Sequence, residues 1–139
     1  MKRIRIIALI IFSSCLTGCL NDDNGIIFSY ERVPIEEVDI ADQFTRGETY
    51  DITVSYFRPS DCHSFSGFDY DRLSNERTVS VVNVVVNDRV CDDLEETDLI
   101  DASINFFVGS EDSYVFRFWQ GRNDQGENQF LIIEVPVVE

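Results

Sequence analysis

The clearest pattern in the chain is at residues 49–56, Thr49-Tyr50-Asp51-Ile52-Thr53-Val54-Ser55-Tyr56. Polar and apolar side chains alternate along it without a break. The apolar set is Tyr50, Ile52, Val54 and Tyr56. Such alternation is the period of a β-strand that buries one face. The stretch therefore predicts a strand whose apolar face packs on a hydrophobic core.

Most of the chain beyond residue 25 shows related patterns. A second alternating face comprises Ile100, Ala102, Ile104, Phe106 and Val108. Further strands are predicted at residues 26–33, 35–40, 65–73, 77–87, 113–120 and 129–137. No part of this region has sustained helical periodicity. The pattern predicts one all-β domain over residues 26–139, an antiparallel β-sandwich of about seven or eight strands.

The valine-rich segment at residues 77–87 changes phase in its middle. Val79 and Val81 belong to one register, whereas Val82, Val84 and Val86 belong to the other. Two explanations are open: both faces of this strand are buried, or a bulge shifts its register.

The C-terminal part adds a resemblance to a known kind of domain. Asp112-Ser113-Tyr114-Val115-Phe116-Arg117-Phe118 leads into a turn at residues 121–126 and a last strand at 130–137. This pattern of aromatic residues resembles the closing hairpin of immunoglobulin-like and PKD-like domains. The resemblance implies an immunoglobulin-like sandwich and carries no functional residues.

The N-terminus has the three parts of an export signal. Lys2, Arg3 and Arg5 precede an apolar run at residues 6–12, which is too short to span a bilayer. Leu16-Thr17-Gly18-Cys19 follows and resembles the lipobox of bacterial lipoproteins. The resemblance implies that residues 1–18 are a cleaved signal peptide and that Cys19 carries the lipid. The signal itself is expected to be a helix over residues 2–17.

Residues 19–25 form a polar, acidic tether between the lipid and the domain. Asp22 and Asp23 resemble the acidic surface-export signal of Bacteroidota lipoproteins, and the whole chain resembles the small lipoproteins of that group. Leu20 differs from the aspartate that retains lipoproteins in the inner membrane of enteric bacteria. The expected location is the bacterial outer membrane, with exposure at the cell surface as a further expectation.

The charge of the chain excludes some partners. Loss of the signal leaves eight arginines and no lysine against 26 acidic residues, a formal charge of −18 compared with −15 for the whole chain. Nucleic-acid binding needs a basic face, and an anionic lipid surface repels such a domain. The simplest explanation of the acidic surface is solvation.

Two cysteines, Cys62 and Cys91, remain beside the lipidated one. In an oxidising compartment two thiols in a small domain usually pair, so a disulfide is predicted. Free thiols are the less favoured alternative. A zinc site is less favoured still, because zinc needs four ligands and only His63 lies nearby.

The most unusual local composition is the aromatic stretch at residues 56–70. Loops of rigid domains often bind partners, and aromatic residues with arginine are typical anchors. The candidate binding residues are Phe57, Arg58, His63 and Phe65. The alternative is that these rings belong to the core, and that His63 is a packing residue instead of a general base or metal ligand.

Carboxylates cluster in two predicted loops, at residues 92–98 and 123–128. Calcium takes six to eight oxygen ligands, but neither run has the spacing of an EF-hand loop. Solvated turns are therefore the favoured interpretation, and no cofactor or metal is predicted. Paired carboxylates for glycosidase chemistry stay open, because their pairing is spatial.

The sequence assembles no nucleophile, base and orienting group. We therefore expect a non-catalytic, lipid-anchored envelope protein whose partners are the bilayer, through Cys19, and an envelope protein or glycan. It would act as a binding or accessory module. The alternative is a small envelope hydrolase or a calcium-dependent module that uses the clustered carboxylates.

Overall fold

The computed structural model describes residues 25–139, which contain nine β-strands and no helix. The strands are β1 (Phe28–Val33), β2 (Ile35–Asp39), β3 (Phe44–Thr45), β4 (Thr49–Phe57), β5 (His63–Leu73), β6 (Glu76–Val86), β7 (Leu99–Phe107), β8 (Ser113–Arg122) and β9 (Asn128–Val138). The prediction of an all-β domain is confirmed. No helix that could cross a membrane occurs in this part of the chain. The predicted signal peptide with its helix, the predicted lipidation site Cys19 and most of the predicted tether lie outside the described residues.

The strands form two sheets. Strands β2, β4 and β7 make a three-stranded sheet in which β4 is central. The larger sheet has the order β1-β6-β8-β9-β3, and β5 also pairs with β6. Each predicted strand segment is a strand here, with ends shifted by a few residues. The prediction missed β3, because two residues are too few to show a period.

Two strand pairs are parallel, which corrects the expectation of a fully antiparallel arrangement. The two-residue strand β3 lies parallel to the end of β9, and Glu76–Val79 of β6 lies parallel to Val115–Phe118 of β8. Strand β6 can take this extra neighbour because it is long. Its far half, from Val81 to Val86, pairs with β1 instead.

The valine-rich strand β6 keeps one phase along its whole length. Its buried face carries Arg77, Val79, Val81 and Asn83. The apparent phase change arises because Asn83, a polar residue, occupies a core position, whereas Val82 and Val84 on the other face are only half-buried. The bulge lies in the neighbouring strand, between Phe65 and Gly67 of β5.

The core lies between the two sheets and is rich in aromatic rings. From the smaller sheet it receives Ile52, Val54, Tyr56 and Phe106, and from the larger one Val79, Val81, Phe116 and Phe118. The predicted apolar face of residues 49–56 is thus on the core. Phe44 of β3 sits in the middle, with its ring centre 4.7–6.4 Å from those of Tyr50, Phe106, Tyr114 and Phe116.

Candidate functional site

The two cysteines predicted to pair are joined in the structure. Cys62 and Cys91 form a disulfide with their Cα atoms 5.6 Å apart. The bridge joins the start of β5 to the loop before β7, which also pairs through Asp61 N–H donating to Asp92 O and Leu94 N–H donating to Pro59 O. The disulfide therefore lies within the aromatic stretch at residues 56–70 and makes that end of the domain rigid.

The only histidine is buried beside this disulfide and has two polar partners. His63 Nδ1 lies 2.7 Å from Ser60 Oγ, and Nε2 lies 3.0 Å from Glu31 Oε2. Ser60 Oγ also accepts a hydrogen bond from the Cys62 N–H. All three contacts are satisfied when the serine hydroxyl donates to Nδ1 and the Nε2–H donates to the carboxylate.

This chain of contacts has the same residue types as a nucleophile, a base and an orienting acid. The accessibility of its two ends is the reverse of what catalysis needs. The Glu31 side chain is 57 % exposed, whereas Ser60, which would be the nucleophile, is buried. A substrate would reach the acid and not the hydroxyl. The arrangement instead connects β1 and β5 to the disulfide loop.

The other candidate binding residues do not share one surface. Phe65 lies on the inner side of β5, with its ring centre 6.3 Å from that of the buried Tyr56. Phe57 follows Tyr56 in β4 and so points to the opposite side of its sheet. Arg58 is half-buried, and its Nε has no hydrogen-bond partner among residues 25–139. The structure thus disperses the four residues that the sequence grouped.

Hydrogen bonds stabilise the turn that contains one acidic run and connect the backbone of the other run to Asp61. In the β8–β9 turn, Asn123 Oδ1 accepts hydrogen bonds from the N–H groups of Gln125 and Glu127, and its Nδ2 donates to the Glu127 carboxylate. In the other run, Asp92 N–H donates to Asp61 Oδ1. Asp61 also lies within 4.8 Å of both cysteine sulfurs, but a disulfide has no thiolate to offer a metal.

A solvent-open cleft of about 720 Å³ lies where an edge strand of each sheet faces the other. In the described part of the chain, β5 pairs only with β6, and β7 only with β4, so the gap between β5 and β7 is not closed by a strand. The lining residues are Phe68, Tyr70, Arg72, Arg77, Ile104, Asn105, Phe106 and Phe107. Its volume is typical of ligand sites.

Because side chains alternate along β5, its acidic residues and its arginine lie on opposite sides of the sheet. Phe68, Tyr70 and Arg72 face the cleft, whereas the intervening Asp69 and Asp71 point to the other side of the sheet. There Asp69 forms an ion pair with an arginine of β1. The cleft therefore receives two rings and an arginine from a strand that also carries two carboxylates.

Arg77 supplies a buried positive charge at the bottom of the cleft. Its Nη1 donates to the carbonyl oxygens of Ser74 and Glu76, both at 2.7 Å. The guanidinium carbon lies 4.8 Å from the ring centre of Tyr114 and 5.9 Å from that of Phe106. These contacts fix the fork of the arginine, which has five N–H donors in all.

The hydroxyl of Tyr70 lies in the field of this arginine. Burial raises the pKa of Tyr70, and the positive charges of Arg77 and Arg72 oppose part of that rise. At neutral pH the hydroxyl stays protonated and can donate a hydrogen bond. The cleft thus combines ring faces with three kinds of donor: phenol, amide and guanidinium.

The sequence analysis missed this cleft because its walls are far apart in the chain. Phe68 to Arg72 belong to one sheet, and Ile104 to Phe107 belong to the other. The usable signal was the order Phe68-Asp69-Tyr70-Asp71-Arg72, which places rings and arginine on one face and carboxylates on the other. In comparisons with known proteins, the chain matches no protein family, no curated protein and no solved structure.

Proposed function

We propose that the protein is a lipid-anchored, non-catalytic binding module of the bacterial envelope, and that the cleft between β5 and β7 holds its ligand. The observation behind this proposal is the lining of the cleft, which includes four aromatic residues and a fixed, buried guanidinium. Convergent polar groups in an otherwise apolar cleft are the usual form of a ligand site.

The lipid anchor is part of this proposal, and two observations support it. The first is the lipobox at residues 16–19. The second is an exposed apolar strip that follows the tether directly, formed by Ile26, Ile27, Phe28 and Tyr30. Contiguous exposed apolar side chains mark interaction surfaces. An anchored domain would carry this strip next to the bilayer of the outer membrane.

The immunoglobulin-like sandwich is also proposed here. In such domains a tyrosine near the start of the next-to-last strand bonds back to the backbone a few residues upstream. Tyr114 opens β8, and its hydroxyl accepts a hydrogen bond from the Gly109 N–H at 2.8 Å. A Cβ at Gly109 would lie only 3.1 Å from that hydroxyl, which explains the glycine. The parallel pairing of β6 and β8 is a departure from the antiparallel sheets of that fold.

Binding is favoured over hydrolysis because Ser60 and His63, which resemble a catalytic pair, are both buried, so a substrate would not reach the serine hydroxyl. Calcium binding in the β8–β9 turn is disfavoured because Asn123 Oδ1 and the Glu127 carboxylate already accept hydrogen bonds within that turn.

The proposal is tested by using the lipidated protein to capture ligands from envelope extracts. The parent is compared with two alanine variants, whose replaced side chains have similar exposed fractions. Phe107→Ala removes a ring at the cleft that is 63 % exposed, and Ile132→Ala removes an apolar side chain of the larger sheet that is 60 % exposed. Bound proteins are identified by mass and bound glycans by sugar analysis. Ligand lost with Phe107→Ala and kept with Ile132→Ala supports the cleft. Equal capture by all three proteins contradicts it.

The anchor is tested separately by growing cells with a labelled fatty acid. We expect label on the parent chain and none on Cys19→Ala. Label that persists on this variant would contradict lipidation at Cys19.

A further inference from the structure

We propose that the ligand of the cleft is an acidic saccharide, whose anionic group binds between Arg72 and Arg77 while a sugar ring lies on Tyr70 and reaches Phe107 at the rim of the cleft. This inference rests on the proposed function, since it assumes that the cleft is the binding site.

The charge of the lining is opposite to that of the domain. The residues beyond the predicted signal include eight arginines and 26 acidic side chains, yet the eight residues lining the cleft include two arginines and no acidic one. The alternation of β5 turns Asp69 and Asp71 away. On β7, Asn105 lines the cleft and its amide donates to Asp51 of β4, so this carboxylate is engaged. An anion in the cleft therefore meets two positive charges at short range.

The two arginines differ in a way that suits an anionic ligand. Arg77 is 6 % exposed and held by two carbonyl oxygens and the Tyr114 ring, so little entropy is lost when it binds. Arg72 is exposed and can move to meet the ligand. A guanidinium matches the two oxygens of a carboxylate or a sulfate in a planar fork. Both groups occur on acidic sugars, and the experiment below distinguishes them.

The ring faces favour a saccharide over a peptide strand. A peptide would bind by extending a sheet edge, which needs a regular row of free backbone groups. Strand β5 has a bulge between Phe65 and Gly67 and charged residues, Asp69, Asp71 and Arg72, in its C-terminal half. Bulges and charged side chains both prevent another strand from pairing with an edge. Tyr70 is 41 % exposed and its ring faces the cleft, where a flat, partly apolar ligand can lie on it. Phe107 is 63 % exposed and alternates with the buried Phe106 on the edge strand β7, so its ring lies at the rim of the cleft.

The experiment is titration calorimetry with the full lipidated protein in detergent. The charged probes are an oligogalacturonate, which offers carboxylates, and a sulfated galactan oligosaccharide. Their uncharged counterparts are the methyl-esterified and the desulfated forms of the same chains. We expect one charged probe to bind more tightly than its uncharged counterpart, and its identity assigns the anionic group.

Two variants that each remove one positive charge test where the anionic group binds. Arg72→Gln should weaken binding of that probe about fivefold, the upper range for an exposed ion pair, and leave the uncharged form unaffected. Arg122→Gln, at the C-terminal end of β8, should bind like the parent. The inference is overturned if neither charged probe binds better than its counterpart, or if both variants weaken binding equally.

These outcomes are separable from failure of the proposed function. If envelope capture depends on Phe107 but no acidic oligosaccharide binds, the cleft is a binding site for another ligand and only the present inference is wrong. If capture does not depend on Phe107, the cleft itself is not the site.

Discussion

Replacing Phe44 by alanine tests whether the two-residue strand β3 is essential to the core. Phe44 is 0 % exposed, and its ring centre lies within 6.4 Å of four other aromatic ring centres. Truncation of a buried phenylalanine costs about 3–5 kcal/mol, from lost burial and the cavity that remains. We expect about 4 kcal/mol here, because β3 is joined to β9 by only two residue pairs and offers little backbone to refill the space.

The assay is urea unfolding of the purified protein in a mild detergent, followed by tyrosine and tryptophan fluorescence. With a slope of about 1.5 kcal/mol per molar urea, the midpoint should fall by about 2.7 M. Phe65→Ala is the matched control. Because Phe65 is 45 % exposed, its truncation should cost only about 1–2 kcal/mol. If Phe44→Ala costs no more than Phe65→Ala, β3 is dispensable and the description of the core is wrong.

Three further predictions use the same unfolding assay. Replacing both Cys62 and Cys91 with alanine opens a loop with a sequence separation of 29 residues and should lower the free energy of unfolding by about 3.6 kcal/mol; an unchanged midpoint would exclude a stabilising bridge. Ser60→Ala leaves the buried His63 ring nitrogen without its partner and should cost about 1–3 kcal/mol, with no change in ester hydrolysis; loss of a measurable esterase activity would instead make this serine catalytic. Tyr114→Phe removes the hydrogen-bond acceptor of a backbone N–H and should cost about 1–2 kcal/mol, and hydrogen exchange that stays slow at that amide would contradict it.

The sequence by itself determined the class of the fold and the position of nearly every strand. Alternation at residues 49–56 and 100–108 is a local property, and it persists because each strand needs one face on a core. The disulfide was also accessible, since an exported domain with two cysteines usually pairs them. The motif at residues 16–19 that resembles a lipobox is contiguous and can be read without a structure, and lipidation at Cys19 stays a prediction.

Which strands are neighbours can be read from the tertiary structure but not from the periodicity of the strands. The parallel pairing of β6 with β8 joins segments nearly 40 residues apart, and nothing in the period of either strand specifies it. The same holds for the aromatic stretch: Phe57 and Phe65 are close in sequence, but their strands belong to different sheets. Conversely, Tyr70 and Phe107 are distant in sequence and line one cleft.

The physical reason is that periodicity fixes which way a side chain points relative to its own strand, whereas a site depends on which strands come together. Strand pairing is set by the packing of both sheets around one core, a property of the whole chain. The charge of the cleft is an example of this difference between local pattern and strand pairing. The composition indicates an acidic domain, whereas in the folded domain two of its few arginines, Arg72 and Arg77, line a cleft that contains no carboxylate.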